Sequence, residues 1–272
     1  MSKNLNVALI GNPNTGKSSV FNQLTGLNQK TGNYPGITVE KRQGICRLPR
    51  GVKAHILDLP GTYSLNASSL DENVVVELLL NKNDKDFPDV AVVISDVENL
   101  KRNMLLFTQI KDLSIPTILV INMSDRMNSK GISIDAEKME ELLQAKVVLV
   151  SARKNKGINT LKQHIAAFKN ISTAPCVSIS EIDEDYFSSL ERIFPKQSLY
   201  KLWLVITQDV NFARIERQKM EAHDANHIRS GSFLKRLQQK ETIKRYQYIN
   251  YVLKACYDKD SAKATDLRGR LD

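Results

Sequence analysis

Cysteine is scarce and scattered in this chain. Its 272 residues hold three, Cys46, Cys176 and Cys256, far apart and without a C-x-x-C spacing. That excludes a disulfide-stapled scaffold and offers no zinc pattern. A reducing cytoplasm is the expected setting. Long apolar runs are missing too, since no stretch approaches the roughly 18 residues that a membrane-crossing helix needs. Met1–Asn6 is polar and runs straight into a strand-like segment rather than a leader, so the chain as given is expected to be soluble. No internal repeat or low-complexity tract interrupts it. Histidine numbers only four. His223 and His227 stand four apart, the spacing of two metal ligands on one helix face, but no carboxylate or cysteine cluster completes a site, and they read as surface residues of a charged helix.

What the chain does have is a globular balance, 42% hydrophobic and 25% charged, enough for a sizeable core and more in keeping with two domains than one. The net charge of +9 is spread over both halves. Arg214, Arg217, Lys219, Lys235 and Arg236 could face an anionic surface, but a solvated face is the plainer reading of such dispersed charge.

Through the first 170 residues, short β-branched runs alternate with helical patterns. Leu5–Ile10, Ala54–Leu59, Val90–Ser95, Thr117–Ile121 and Val147–Val150 read as buried strands. Helices are predicted at Lys17–Thr25, Leu70–Leu80, Asn99–Asp112, Ala136–Leu143 and Ile158–Phe168. Gly44–Leu48 lies close enough to the next strand, across Pro49-Arg50-Gly51, to pair antiparallel at one edge. The fold class is α/β: a three-layer sandwich with a mostly parallel sheet and one antiparallel edge strand. Asn170–Pro175 reads as a linker. Beyond it, apolar residues recur at helical spacing with no strand run, predicting a small all-α domain with Trp203, Leu204 and Phe212 in its core. The predicted divisions are 1–169, 170–262 and a short tail, 263–272.

Gly11-Asn12-Pro13-Asn14-Thr15-Gly16-Lys17-Ser18 fits G-x-x-x-x-G-K-[ST] and lies between a strand and a helix, where the pattern has physical meaning. Backbone N–H groups of such a turn surround phosphate oxygens, and the following helix adds its positive end. Lys17 is expected at the β- and γ-phosphates and Ser18 on Mg²⁺. Asp58-Leu59-Pro60-Gly61 closes a strand about 40 residues later, placing a carboxylate for Mg²⁺ and a free N–H after Gly61 for a γ-phosphate. Asn122-Met123-Ser124-Asp125 ends another strand. Its side chains suit a guanine edge, with Asp125 accepting from the ring N–H and exocyclic amine that adenine does not pair. Ser151-Ala152-Arg153 can add a backbone N–H for the guanine carbonyl.

In this order the motifs resemble the translation-factor-like, or TRAFAC, class of GTPases. Ile10 through Asn22, then Gly32-Asn33-Tyr34-Pro35-Gly36-Ile37-Thr38-Val39-Glu40, then Asp58 through Leu65, resemble the cytosolic N-terminal part of the FeoB family of bacterial ferrous iron transport proteins. The resemblance implies GTP and GDP as ligands, with Mg²⁺ on Ser18, Asp58 and the switch-one residue Thr38, and Gly36 and Ile37 beside it. It implies K⁺ on Asn14 with backbone carbonyls near Asn33 and Tyr34, unless Asn14 only caps the loop. It also implies that the helical domain modulates nucleotide affinity, that Thr265–Leu271 leads into a transmembrane iron-transport domain, and that the whole sits at the inner face of the bacterial membrane. Catalytic weight would fall on Lys17, Asn14, Thr38 and Gly61. Two departures stand out: Met123 replaces a lysine common at that place, and Thr62 replaces the water-orienting glutamine of Ras-like proteins, implying slow intrinsic hydrolysis.

The alternatives are a soluble RNA-associated GTPase of the Era or TrmE type and an interaction module that binds GTP without turnover. The tail has no G-x-x-G loop with a strand pattern for a KH domain, so no nucleic-acid partner is expected. A homo-oligomer is compatible with the sequence.

Overall fold

The computed structural model describes residues 5–26, 29–34, 38–195, 197–223 and 230–260. Pro35, Gly36, Ile37, His227 and the tail with Thr265–Leu271 lie outside them. Strands are β1 (Leu5–Gly11), β2 (Gln29–Asn33), β3 (Glu40–Arg47), β4 (Lys53–Asp58), β5 (Val90–Asp96), β6 (Thr117–Asn122), β7 (Ile132–Ile134), β8 (Lys146–Leu149) and β9 (Tyr257–Lys259). Helices are α1 (Lys17–Thr25), α2 (Leu70–Leu80), α3 (Leu100–Lys111), α4 (Ala136–Leu143), α5 (Ile158–Ala166), α6 (Glu184–Ile193), α7 (Leu199–Thr207), α8 (Asn211–His223) and α9 (Gly231–Cys256).

Seven strands form one sheet in the order β2-β3-β4-β1-β5-β6-β8. The five apolar runs β4, β1, β5, β6 and β8 are parallel. Of these, β1, β5 and β6 are buried along nearly their whole length, as crossover helices on both faces require, while β4 exposes Lys53 and His55 and β8 forms the far edge. The antiparallel edge is present and larger than expected. β3 begins four residues earlier than Gly44, and its polar first half pairs with β2, an entirely exposed strand of sequence QKTGN. Such a strand carries no alternation of apolar and polar residues for sequence reading to detect.

Helix boundaries follow local chemistry. The Ser69 hydroxyl accepts from Glu72 N–H at the start of α2, and the Asp135 carboxylate accepts from Lys138 N–H at the start of α4. These are the side-chain caps that open a helix.

One face of the sheet packs on α1 and α5 through Phe21, Leu24, Leu161 and Ile165. The other face packs on α2 and α3, and its core continues without a break into Phe187, Trp203, Leu237, Ile249 and Val252 of the later helices. Trp203 and Leu204 are fully buried and Phe212 is half-buried. The join also holds buried charge. Arg245 on α9 bonds Asp112 at the end of α3 (2.7 Å) and Glu241 (2.8 Å), and Glu241 accepts from the Trp203 indole N–H at 2.9 Å. The stretch 170–175 expected as a linker is held by Lys111, which donates to Ser172 O, and the Cys176 N–H just after it donates to Asp112. The region expected to lack strands supplies β9, which pairs antiparallel with β7. Both are three residues long, too short for a periodic signal. Among the described residues no helix is long and apolar enough to cross a membrane.

Candidate functional site

The site is built at the rim where β1, β4, β6 and β8 end. β1 runs out at Gly11 alongside Ile94 of β5, so closely that a Cβ on Gly11 would collide with the Ile94 carbonyl. The chain then folds back on itself, the Thr15 hydroxyl donating to Asn12 O at 2.9 Å. Asn14 and Gly16 adopt left-handed conformations, with φ of 67° and 80°. Gly16 opens α1 without any side-chain cap, and the first turn carries no acidic residue. Uncapped N–H groups at a helix start, beside left-handed turn residues, form a concavity suited to an anion. Pro13, Asn14 and Ser18 are exposed, while Gly11, Asn12 and Thr15 are buried. The Asn12 side-chain amide is buried without a hydrogen-bond partner among the described residues.

Asp58 ends β4 and forms an ion pair with Lys17, the two carrying side-chain exposures of only 4% and 12%. Next to it Leu59 N–H donates to Leu9 O and Thr62 N–H to Gly11 O, clamping the Asp58–Thr62 segment, with Leu59 and Pro60, onto β1. Gly61 lies against Pro13, so near that a Cβ would sit 3.1 Å from the proline ring. Thr38 is exposed. Tyr34 N–H donates to Val39 O at 3.0 Å and its ring lies under the Lys41 ammonium, which joins the two described ends of the segment expected as switch one.

Thr62 stands where Ras-like proteins have glutamine, and its side chain is turned into the loop. It is fully buried, and its hydroxyl is shared between Ser64 O (2.8 Å) and the Glu72 carboxylate (3.1 Å). It therefore faces inward, into the loop that leads to α2. Glu72 organises this whole loop, also accepting from Tyr63 N–H, Ser68 N–H and the Ser68 hydroxyl. Burial pushes its carboxyl up, but these hydrogen bonds outweigh that and hold it below the ordinary value. Gln109 of α3 accepts from Leu65 N–H, and Gln208 beyond α7 accepts from Ala67 N–H at 3.0 Å. Sequence reading missed all three residues. The S-x-x-E pattern Ser69–Glu72 was the one available signal, and here the glutamate reaches Ser68 rather than the cap itself.

At the other end of the site Asn122 joins two loops. Beside the guanine contact expected of it, its side chain has a structural task. The amide donates to Thr15 O at 2.9 Å and the oxygen accepts from Ala152 N–H at 3.2 Å, bracing the turn 11–18 against the loop after β8. Of the backbone N–H groups of Ser151-Ala152-Arg153 expected for the guanine carbonyl, that of Ala152 is thereby given to Asn122. Met123, with φ of 62°, lies against the Gly16 turn. Asp125, expected at the guanine edge, lies on the same loop. Its carboxylate accepts from the Ser151 hydroxyl at 2.7 Å and from Arg153 at 3.0 Å, and the Ser151 hydrogen bond chiefly holds its pKa below the ordinary carboxylate range.

A glycine turn before the first helix, an aspartate closing β4 beside an antiparallel edge, and N-x-x-D at the end of β6 place the chain in the G-protein class of phosphate-loop folds. Residues 5–165 match the family described as ferrous iron transport protein B, and the chain belongs to that family. It is 42% identical over 160 residues to the Fe(2+) transporter FeoB of Leptospira biflexa, a match covering 59% of this chain and 23% of that protein. The chain thus spans about a quarter of the length of this curated relative. It is similar to the cytosolic domain of L. pneumophila FeoB (TM-score 0.77, 32% identity, 93% of this chain and 99% of that one). It is also similar to the cytosolic domain of T. maritima FeoB in a GMPPNP form (TM-score 0.82, 27% identity, 94% and 100%). These matches support the iron-transport family over the RNA-associated alternative.

Proposed function

We propose that this chain binds GTP and hydrolyses it slowly to GDP and phosphate, as the cytosolic regulatory part of a bacterial Fe²⁺ uptake protein. The observation that carries the reading is convergence: the turn 11–18, Asp58 and Asp125 meet at one rim of the sheet, with Asn122 bridging the first to the loop beside the last.

The residues present fit a nucleotide with its metal ion. The left-handed turn and uncapped start of α1 offer N–H donors to phosphate oxygens. Lys17 and Asp58 neutralise each other, and with a triphosphate in place Lys17 would turn to the β- and γ-phosphates while Asp58 joined the Ser18 and Thr38 hydroxyls. Those three are oxygen donors of the kind Mg²⁺ takes, and the ion when bound offsets charge on the phosphates. The Gly61 N–H would be the one to meet the γ-phosphate, since the next one expected there, that of Thr62, is given to Gly11 O. Gly36 and Ile37, outside the described residues, would belong to switch one. Asn14, exposed at the turn, would hold K⁺. Because the Thr62 hydroxyl is committed to Ser64 and Glu72, no side chain at that place orients water, which supports a slow intrinsic rate.

Residues 170–262 would act as a domain that modulates nucleotide affinity. Support comes from Gln208, which holds the Asp58–Ser69 loop at Ala67, and from Glu77 of α2, which accepts from Phe212 N–H at the start of α8. The proposed partner is the transmembrane iron-transport part of the same longer protein, reached through residues 263–272, at the cytoplasmic face of the inner membrane.

The test is hydrolysis of GTP against ATP with Mg²⁺, in potassium and in sodium salts. GTP turnover that exceeds ATP turnover and rises in potassium is the expected result. ATP turnover equal to GTP turnover would contradict the reading, and equal GTP rates in both salts would remove the role given to Asn14.

A further inference from the structure

The guanine edge that Asp125 would read is itself a guanidine: N1–H, C2 and the exocyclic amine repeat the N–C–N donor arrangement of an arginine head group. Arg153 already presents such a group to Asp125, its Nη2 donating to Oδ2 at 3.0 Å. The inference drawn from this rests on the base-reading role given to Asp125 above.

Two neighbours hold this carboxylate in different ways. Ser151 is fully buried, and its backbone is closed on Lys156 by two hydrogen bonds of 3.1 Å. Its hydroxyl both donates to Asp125 Oδ1 and accepts from Lys154 N–H, so it is a fixed part of the site. A carboxylate oxygen has lone pairs enough to keep that bond and accept another. Arg153 is 81% exposed in its side chain, against 8% for Asp125, and makes no other hydrogen bond or ion pair among the described residues. It can leave. While it stays, it covers the outward oxygen of a nearly buried carboxylate with the donor type that guanine would bring.

We propose that Arg153 is an internal competitor of the guanine base: it occupies Asp125 in the nucleotide-free protein and must swing aside before the base can dock. Arg153 is therefore a specificity-site residue that slows nucleotide uptake. Only the fraction of molecules with Asp125 released is competent to bind, and the apparent affinity falls by that fraction. An ion pair with one partner so exposed is weak, so the competition is graded and does not block the site.

The experiment is stopped-flow uptake and release of a ribose-labelled fluorescent GDP by the unsubstituted protein, Arg153→Ala and Arg153→Gln, at low and high salt. Both variants are expected to take up nucleotide about two- to five-fold faster at low salt, the range that a weak exposed ion pair allows. Release should be unchanged. At about 0.5 M salt, where screening loosens the native pair, the advantage should shrink towards nothing. Slower uptake in both variants would show Arg153 drawing in the phosphates instead, and faster release with unchanged uptake would place it on the bound base; either overturns the inference, as does equal kinetics throughout or an advantage that persists at high salt. If the unsubstituted protein takes up no labelled GDP, it is the proposed function that fails. If it does and the variants are no faster, only the competitor role is lost.

Discussion

The Asn122 side-chain amide donates to the Thr15 carbonyl at 2.9 Å, across 107 positions of chain, and the same side chain accepts from Ala152 N–H. Gly16 completes this joint. A Cβ there would collide with the Asn122 amide, and its φ of 80° is one that side chains rarely adopt. Asn122→Ala leaves two backbone groups unpaired in a buried place, at about 1–3 kcal/mol each. It is expected to lower the denaturant midpoint accordingly and to weaken GDP by about tenfold or more, each tenfold being about 1.4 kcal/mol. Chemical denaturation and calorimetry check both, and an unchanged midpoint with unchanged GDP affinity would refute the bracing role.

Glu72 offers a pH-dependent counterpart. Its carboxyl is held below the ordinary 4.5 in the folded protein by Ser68, Tyr63 and Thr62, against the opposing effect of burial. A depressed folded pKa means that the stabilisation is fully present above the unfolded value and is lost as pH falls through the folded one. Thermal melts of the unsubstituted protein should therefore lose midpoint below about pH 4.5, whereas Glu72→Gln, less stable at neutral pH by about 1–3 kcal/mol, should lose less over that interval. Parallel curves for the two proteins would show that Glu72 does not carry this linkage.

Arg245 is enclosed between Asp112 and Glu241, with side-chain exposures of no more than 1% for all three. Removing one partner from a buried ionic group costs about 3–5 kcal/mol, because the remaining charges are stranded, whereas replacing the whole group by apolar residues is often neutral. Arg245→Leu is expected to destabilise by that amount, and the triple replacement of Arg245, Asp112 and Glu241 by leucine to recover only part of it, because the Trp203 indole N–H and the Cys176 N–H lose their acceptors. Trp203 is the only tryptophan and donates to Glu241, so its emission reports on the same place. An Arg245→Leu protein as stable as the parent would contradict the account of this join.

The parallel strands and the starts of α1, α2 and α4 were legible because their signals are local: apolar β-branched runs, a glycine turn, Ser69 and Asp135 as caps. The motifs at Gly11–Ser18, Asp58–Gly61 and Asn122–Asp125 announced themselves by spacing. What escaped depends on distant partners. β2 has no buried face to imprint a pattern, and β7 and β9 exist only because they find each other. The bracing role of Asn122 could not be read because its two partners, Thr15 O and Ala152 N–H, are backbone groups far away in sequence. Thr62 was read from its position after a glycine, but its direction is set by Glu72, ten residues on. Gln109 and Gln208 carry no motif at all and acquire a role only when the chain folds Leu65 and Ala67 against them.

The most direct measurement is titration calorimetry with Mg²⁺, adding GDP, ADP and xanthosine diphosphate to the unsubstituted protein and to Asp125→Asn. The account expects heat for GDP and none for ADP with the unsubstituted protein, and a gain of xanthosine diphosphate at the expense of GDP with the variant. No heat for GDP at about 1 mM ligand, a concentration at which even millimolar affinity registers, or equal heats for GDP and ADP, would contradict it.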